Sequence, residues 1–455
     1  EMVSAILTHR PQLVAFPLYL WNRLQIIELC RTLRNTNPDL FLLAGGPEAS
    51  ADAGALLAEG DLDAIICGEG ELPFAELIAN LSQGKSLDGI PGVLLADSHE
   101  QTLPACSDLT TLASPWLGGT IAPQQNDGVL WEVARGCTFN CAFCYDAKGQ
   151  QGVRPVPFER LRRELELFIA TGVAQVWILD STFNAPQERG KKLLRMLIDK
   201  APQIHFHFEA KADFLDQETA ELLSQLSCSV QIGLQSAEPE ILKSLHRAFK
   251  PSQMIGALRM LSNAGVTFGL DLIYGLPDDN HQGFCNSLNF ALQQQPNQID
   301  IFPLAVLPGT ELYQHKDSFG LQAESQPPYL IQSSRSYSEA EMQKSAHLAT
   351  ATDIFYNRGR AVGFFLQLCE AIALTPVELL EEFSHWFEVS RLKTKGPRSA
   401  VEDWRPEEIL QLQHDFIKQL FQVRQKQRFI PLAEDLINYH FCCAEILLAE
   451  DCPPA

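Results

Sequence analysis

Cys137, Cys141 and Cys144 stand in the run Gly136-Cys137-Thr138-Phe139-Asn140-Cys141-Ala142-Phe143-Cys144. Three thiolates spaced in this way can hold three irons of a 4Fe–4S cube and leave the fourth iron without a protein ligand. An iron with an open position can take the amino and carboxylate groups of a small molecule and pass an electron into it. That is enzyme chemistry. A zinc knuckle is the other reading of a cysteine triplet. Zinc usually takes four ligands in two separated pairs, however, and no second Cys or His pair stands nearby.

The triplet must be held by ordered elements, and the chain alternates short apolar runs with helical patterns on both sides of it. Strands are expected at Leu13–Phe16, Phe41–Ala44 and Ala64–Cys67, with helices near Asn22–Arg34, Ser50–Glu59 and Pro73–Leu81, which is the rhythm of an open parallel sheet. Residues 96–128, rich in Ser, Thr, Pro, Gln and Gly, read as a linker. From 129 to 307 the alternation returns with a longer period. Strands are expected at Val129–Ala134, Gln175–Leu179, His205–Glu209, Ser229–Leu234, Thr267–Ile273 and Gln298–Pro303. Pro157, Pro186, Pro239 and Pro251 mark helix starts between them, where a missing N–H is harmless. Six βα units fit a partial barrel whose strands carry chemistry at their C-terminal ends, and the cysteine loop follows the first of those strands.

Beyond 308 the pattern reads as all helical. Ser338 with Glu341 is a capping-box signature opening a helix through Phe355, Thr375-Pro376 starts another, Pro406 opens a segment toward Gln427, and a last helix spans Leu432–Leu448.

Composition bounds the setting. At 455 residues the chain needs more than one core. A formal charge of −21 opposes nonspecific binding to nucleic acid. No apolar run reaches the roughly 18 residues of a membrane span and no charged-then-apolar leader opens the chain, so no membrane association and a cytoplasmic location are expected. The 12 cysteines are mostly scattered singly, unlike a disulfide framework, and Cys30, Cys67 and Cys228 fall in apolar segments as small buried hydrophobes.

The triplet and the βα rhythm after it resemble the radical S-adenosylmethionine (SAM) enzymes, and the part before it resembles the cobalamin-binding domain often fused to them. Thr182-Phe183-Asn184-Ala185 and the helical tail resemble a subgroup whose C-terminal domain has no assigned role. The resemblance implies a truncated doubly wound, Rossmann-like cobalamin domain over 1–95 lacking its first βα unit, a partial (β/α)6 TIM-type barrel over 129–307, and a helical domain over 308–455. It implies a 4Fe–4S cluster on Cys137, Cys141 and Cys144, and reductive cleavage of SAM to a 5′-deoxyadenosyl radical that takes hydrogen from an unactivated carbon.

The same resemblance implies the other contacts. Phe143 corresponds to the position beside adenine. Asp180, Ser181 and Thr182 stand where the family usually carries a Gly-Gly-Glu-like segment for SAM's amino group, here without glycine. Glu209 and Lys211, and Gln235 with Ser236, correspond to ribose and carboxylate contacts. Ile273 and Gly275 belong to a Gly-x-Ile-x-Gly-like strand whose first glycine is Asp271. Arg247 could neutralise a carboxylate. Tyr19, Trp21 and Asn22, then Gly45-Gly46-Pro47-Glu48, then Gly68-Glu69-Gly70-Glu71, resemble cobalamin-facing loops. The cobalt-ligating Asp-x-His-x-x-Gly string is absent there, and the nearest match, Asp279-Asn280-His281-Gln282-Gly283, lies in the barrel segment.

His205, His207 and Glu209 share one strand face. A second metal on the two histidines is one reading. Hydrogen bonding to neighbours is the commoner fate of polar groups inside a barrel. Two functions follow from the resemblance: cobalamin-dependent methylation of a small-molecule or peptide substrate, or a cobalamin-independent oxidation or rearrangement. Either implies a low-potential donor such as flavodoxin or ferredoxin. A noncatalytic iron–sulfur or zinc protein that binds a partner is the alternative of a different kind.

Overall fold

A computed structural model describes residues 1–59, 61–96, 108–146, 152–393 and 404–448. The chain forms two compact units. The first comprises residues 1–122, 133–167 and 305–331, and the second comprises 123–132, 168–304 and 332–455. These cut across the sequence boundaries near 96, 129 and 308, and part of the expected linker, 97–107, lies outside the described residues.

In the first unit four strands, β1 (Leu13–Pro17), β2 (Phe41–Gly45), β3 (Ala64–Ile66) and β4 (Val93–Leu95), lie side by side in that order. The first three are parallel and β4 is antiparallel to β3. Both sheet faces are covered, so successive side chains enter opposite cores. Leu42 and Ala44 pack with Leu29, Leu33 and Leu56 on one side, and Leu43 packs with Ile66, Leu77 and Val93 on the other. That is why these strands read as unbroken apolar runs. Helix α1 (Arg23–Thr36) buries Leu29 and Leu33 one turn apart. The expected helix Ser50–Glu59 is instead two short ones, Pro47–Ala51 and Ala53–Ala58, broken at Asp52. The carboxylate of Asp52 is drawn to Arg23, 2.6 Å away.

The second unit is built on six parallel strands in sequential order: β5 (Gly128–Trp131), β6 (Gln175–Ile178), β7 (His205–Ala210), β8 (Cys228–Gln235), β9 (Thr267–Tyr274) and β10 (Gln298–Pro303). Alternation is clean. Phe206, Phe208, Val230, Ile232, Leu270 and Leu272 are buried on one face, while the opposite face carries polar groups. Gly128 and Gly269 leave room for side chains lying across the sheet. A Cβ on Gly128 would fall 2.4 Å from the Trp177 ring, and one on Gly269 would fall 2.0 Å from the Gln231 amide.

The expected strand Val129–Ala134 stops at Trp131. Ala134–Arg135 pairs instead, antiparallel, with Arg154–Pro155 in the first unit. The Ser338–Glu341 capping box is formed, but its helix ends at Thr352 and continues as a π-helix over Asp353–Arg358. Helices Pro376–Lys393, Pro406–Val423 and Ile430–Leu448 follow. Phe355, Phe383 and Phe416 interlock there with ring centroids 5.1 to 5.8 Å apart. The stretch before Ser338 is not all helical, since Ala305 forms an antiparallel bridge with Leu330.

Candidate cofactor sites

The cysteine loop begins at Gly136, whose φ of +86° suits glycine and whose missing Cβ would meet the Gly152 carbonyl at 2.5 Å. The Gly152 amide donates to the Cys137 carbonyl at 3.3 Å, the Cys144 amide donates to the Cys141 carbonyl at 3.0 Å, and the Leu312 amide donates to the Ala142 carbonyl at 2.9 Å. The loop is thus pinned at both ends and in the middle. Cys144 keeps an exposed edge, yet burial pushes its thiol up to about 11, a backbone hydrogen bond from Asp146 opposes the rise, and Cys141 and Cys137 add to it. Three thiols that feel one another on one short loop form a soft, compact donor set, and this fits three corners of a cubane. Phe143 is half-buried beside them.

The flanks of this loop carry the cations. Arg135 and Arg154 face each other across the short ladder. Arg135 lies 3.2 Å from Glu69 and also pairs with Glu71, and Arg154 bonds Glu69 through Nη1 at 3.3 Å. Tyr145, next after the last cysteine, hydrogen bonds with Ser50, whose hydroxyl accepts from the Gly68 amide at 2.9 Å. Glu69 and Glu71, expected to face cobalamin, are therefore engaged by arginines. Glu48 is likewise engaged. It is buried, lies 3.1 Å from Arg23 and accepts from the Tyr329 hydroxyl at 2.9 Å, which together with burial pushes that phenol above its ordinary range. Asn22 braces its own loop by accepting from the Tyr19 amide at 2.8 Å and donating to the Pro17 carbonyl at 2.9 Å.

The groups that stay presented to a ligand are different ones. Tyr19 and Trp21 stack in parallel at 4.6 Å, with Trp21 72% exposed. Gly45 and Gly70 have no neighbour closer than 3.7 Å to an added Cβ. Gly46 holds φ at +104°, and a Cβ there would fall 2.8 Å from the Leu18 carbonyl oxygen, with Pro47 opening the next helix. An open glycine rim beside an exposed aromatic pair suits a flat macrocycle that must lie against backbone.

In the second unit the strand ends hold the SAM candidates. Asp180 is buried and lies 2.7 Å from Arg189, so its charge is already balanced. Thr182 donates to the Ser181 carbonyl at 2.5 Å. Asn184, which sequence reasoning quoted without a role, is fully buried and clamps Lys211. Its amide donates to the Lys211 carbonyl at 3.0 Å and its oxygen accepts from the Lys211 N–H at 3.1 Å. The Phe183 amide donates to the Glu209 carbonyl at 2.9 Å, so segment 182–184 fixes the whole Glu209–Lys211 end. Gln235 takes a left-handed φ of +68° where the register with β9 slips. Ser236 is buried and accepts from the Glu238 amide at 3.1 Å, which makes it a turn brace. Arg247 donates to the Gly233 carbonyl, and a small cavity opens among Lys211, Gly233, Arg247 and Lys250. Ile273 is half-buried, and Gly275 follows at φ +84°.

The polar face of the sheet is linked sideways. The Gln231 amide donates to Asp271 at 2.6 Å and to Asp300 at 3.0 Å. Burial pushes Asp271 up to about 6, Asp300 adds to the rise, and Gln231 and Arg247 oppose it. His205 bonds Ser227 at 2.9 Å, and His207 bonds Ser229 at 2.7 Å while stacking on Trp177 at 4.5 Å. Hydroxyl groups hold both imidazole rings.

Residues 131–291 match the radical SAM superfamily, and residues 1–78 match the B12-binding domain. The chain belongs to the cobalamin-binding-domain radical SAM family. Its cofactors are a 4Fe–4S cluster, SAM and cobalamin. An uncharacterised methyltransferase of Pyrococcus horikoshii is 26% identical over 63% of this chain and 65% of its own. Hopanoid C-3 methylase of Methylococcus capsulatus is 26% identical over 68% and 62%, and the cobalamin-dependent radical SAM methyltransferase TokK of Streptomyces tokunonensis is 23% identical over 69% and 49%. The chain therefore spans about half to two thirds of these relatives' lengths. Among solved structures, the radical SAM methyltransferase TsrM of Kitasatospora setae, with tryptophan and a SAM analogue, shares the fold with a TM-score of 0.58 at 16% identity over 72% of this chain and 71% of that one. OxsB with aqua-cobalamin shares it with a TM-score of 0.59 at 14% identity over 98% and 73%. Among the described residues no helix is long and apolar enough to cross a membrane.

Arg135 and Arg154 escaped the sequence reading. The signal was present as two arginines placed on either side of a radical SAM cysteine loop, in a chain whose cobalamin-side turn is Gly-Glu-Gly-Glu.

Proposed function

We propose that this chain works as a cobalamin-dependent radical SAM methyltransferase that adds a methyl group to an unactivated carbon of a small molecule or peptide. The observation that supports it most is the tie between the cysteine loop and the cobalamin-side glycine turn, made by Arg135 and Arg154 on Glu69 and Glu71. A single radical SAM function would not call for such an alignment of two cofactor loops. Three relatives, each named as a methylase or methyltransferase, point the same way.

When bound, the cluster and SAM supply a carbon-centred radical and cobalamin supplies a methyl carrier. The chain's own residues do the positioning. Cys137, Cys141 and Cys144 would hold the iron, with Gly136 and Gly152 setting the loop's entry. Lys211, presented by the Asn184 clamp, and Arg247 place fixed positive charge where a carboxylate can bind. Asp180 keeps the Arg189 guanidinium in place beside the same strand ends. Electrons would come from a low-potential flavodoxin or ferredoxin.

The test is anaerobic purification with cluster reconstitution, followed by assay of SAM cleavage, of the corrinoid spectrum and of methyl transfer from isotopically labelled SAM. Cys141→Ala should lose cluster iron and reduce SAM cleavage to background. Full turnover by corrinoid-free protein, or label recovered in no product, would remove methylation from the proposal.

A further inference from the structure

The string Asp279-Asn280-His281-Gln282-Gly283, which resembles a cobalt-ligand motif in the wrong place, opens helix α2 (His281–Gln293). Asn280 caps that helix by accepting from the Gly283 amide at 3.0 Å. This fixes the first turn and aims His281 and Cys285, four residues apart, along one face. Opposite that face runs the helix Pro376–Lys393, which brings Glu381.

We propose that His281, Cys285 and Glu381 form a site for one divalent cation of the zinc type, with water in its fourth position. The His281 Nε2 lies 3.5 Å from the Cys285 sulfur and 3.9 Å from a Glu381 oxygen, and all three ligand atoms lie within 4.8 Å of one another. Tetrahedral zinc, with bonds of about 2.0 to 2.3 Å, separates its ligands by roughly 3.3 to 3.8 Å, so small side-chain rotations suffice. Nitrogen, sulfur and carboxylate oxygen form a donor set that suits zinc, while magnesium or calcium would want oxygen alone.

The surroundings have the form of an outer ligand shell. His281 Nδ1 is held by the Ser345 hydroxyl at 2.8 Å, and Ser345 is held in turn by the Tyr337 hydroxyl at 2.5 Å, with both of these residues fully buried. That bond fixes the imidazole with Nε2 turned toward the other two donors. Cys285 is buried at 5% exposure, and Glu381 is half-exposed, which leaves the water position on the solvent side. Burial pushes the bare Cys285 thiol up to about 12, so a cation must displace its proton on binding. Burial, with Lys344 adding and Glu341 opposing, holds the His281 imidazole below its ordinary range, which favours the neutral form a metal needs. The cation would add a second tie between two helices already joined by the Val377 amide donating to the Asn289 side chain at 3.0 Å.

The test is metal analysis of anaerobically purified, cluster-loaded protein after incubation with zinc, and absorption after cobalt(II) loading. One zinc per chain beyond the cluster's iron is expected, with a thiolate-to-cobalt charge-transfer band that Cys285→Ser removes. Ser345→Ala, which releases the imidazole, should weaken zinc binding about 10- to 100-fold. The surface change Glu381→Gln should also weaken it, and both variants should keep their cluster iron and sulfide. No bound zinc beyond the cluster, or a cobalt band indifferent to Cys285→Ser, overturns the site and leaves a Cys–His hydrogen bond in its place.

Discussion

Asp271 places a carboxyl group in a half-buried row, one strand away from a second carboxyl, Asp300, with Gln231 donating to both. In the folded protein it holds its proton up to about 6, against an ordinary value of 3.8. The fold therefore binds more protons than the unfolded chain across that window, and stability should fall as pH rises from 3.8 to about 6 and then level off. Asp271→Asn should flatten this dependence and raise the melting temperature above the window, as read by thermal unfolding of cluster-free protein over a pH series. The three cysteines were legible because ligand spacing is a local property of the chain. The commitments of Glu48 and Glu69 were not, since their partners Tyr329, Arg135 and Arg154 arrive from distant sequence.

Elements show the same division. Eight of the nine expected strands fall within about a residue of their observed limits, because the apolar run or alternation that marks a strand is written into each segment. The β-to-loop transition at Trp131 and the π-helix at Asp353–Arg358 were illegible, since both are imposed by packing. The π-helix has a visible use. It directs Asn357 onto the free edge of β10, where the side chain accepts from the Ile299 N–H at 2.9 Å and donates to the Ile299 carbonyl at 2.8 Å. An unpaired strand edge is a template for unwanted pairing, and this one is closed by a side chain that mimics a neighbouring strand. Asn357→Ala should cost about 1 to 3 kcal/mol, because both backbone groups lose their partner, and denaturant titration measures it.

For the whole molecule, periodicity revealed the α/β class and the helical tail but not how segments are shared out. The tail was read as a separate cap, whereas residues 332–455 join the barrel strands in one unit. Burial explains why. Phe355, Phe364, Phe365 and Phe383 are fully buried, and the Tyr356 hydroxyl donates to the Pro296 carbonyl at 2.7 Å just before β10. Exposing that aromatic layer would cost several kcal/mol per ring. A chain ended at residue 331 should therefore be insoluble or show no cooperative melt, whereas an independent cap would leave a folded barrel behind.

The arginine pair beside the cysteine loop carries a last consequence. Because Arg154 and Arg135 rise from the rim that would carry iron and rest on the Gly68–Glu71 turn, stiffening one rim must stiffen the other. Amide hydrogen exchange over residues 66–71 should slow when iron and sulfide are loaded into protein free of corrinoid. In Arg154→Ala that slowing should shrink, which would make each rim a listener to whether its counterpart is filled.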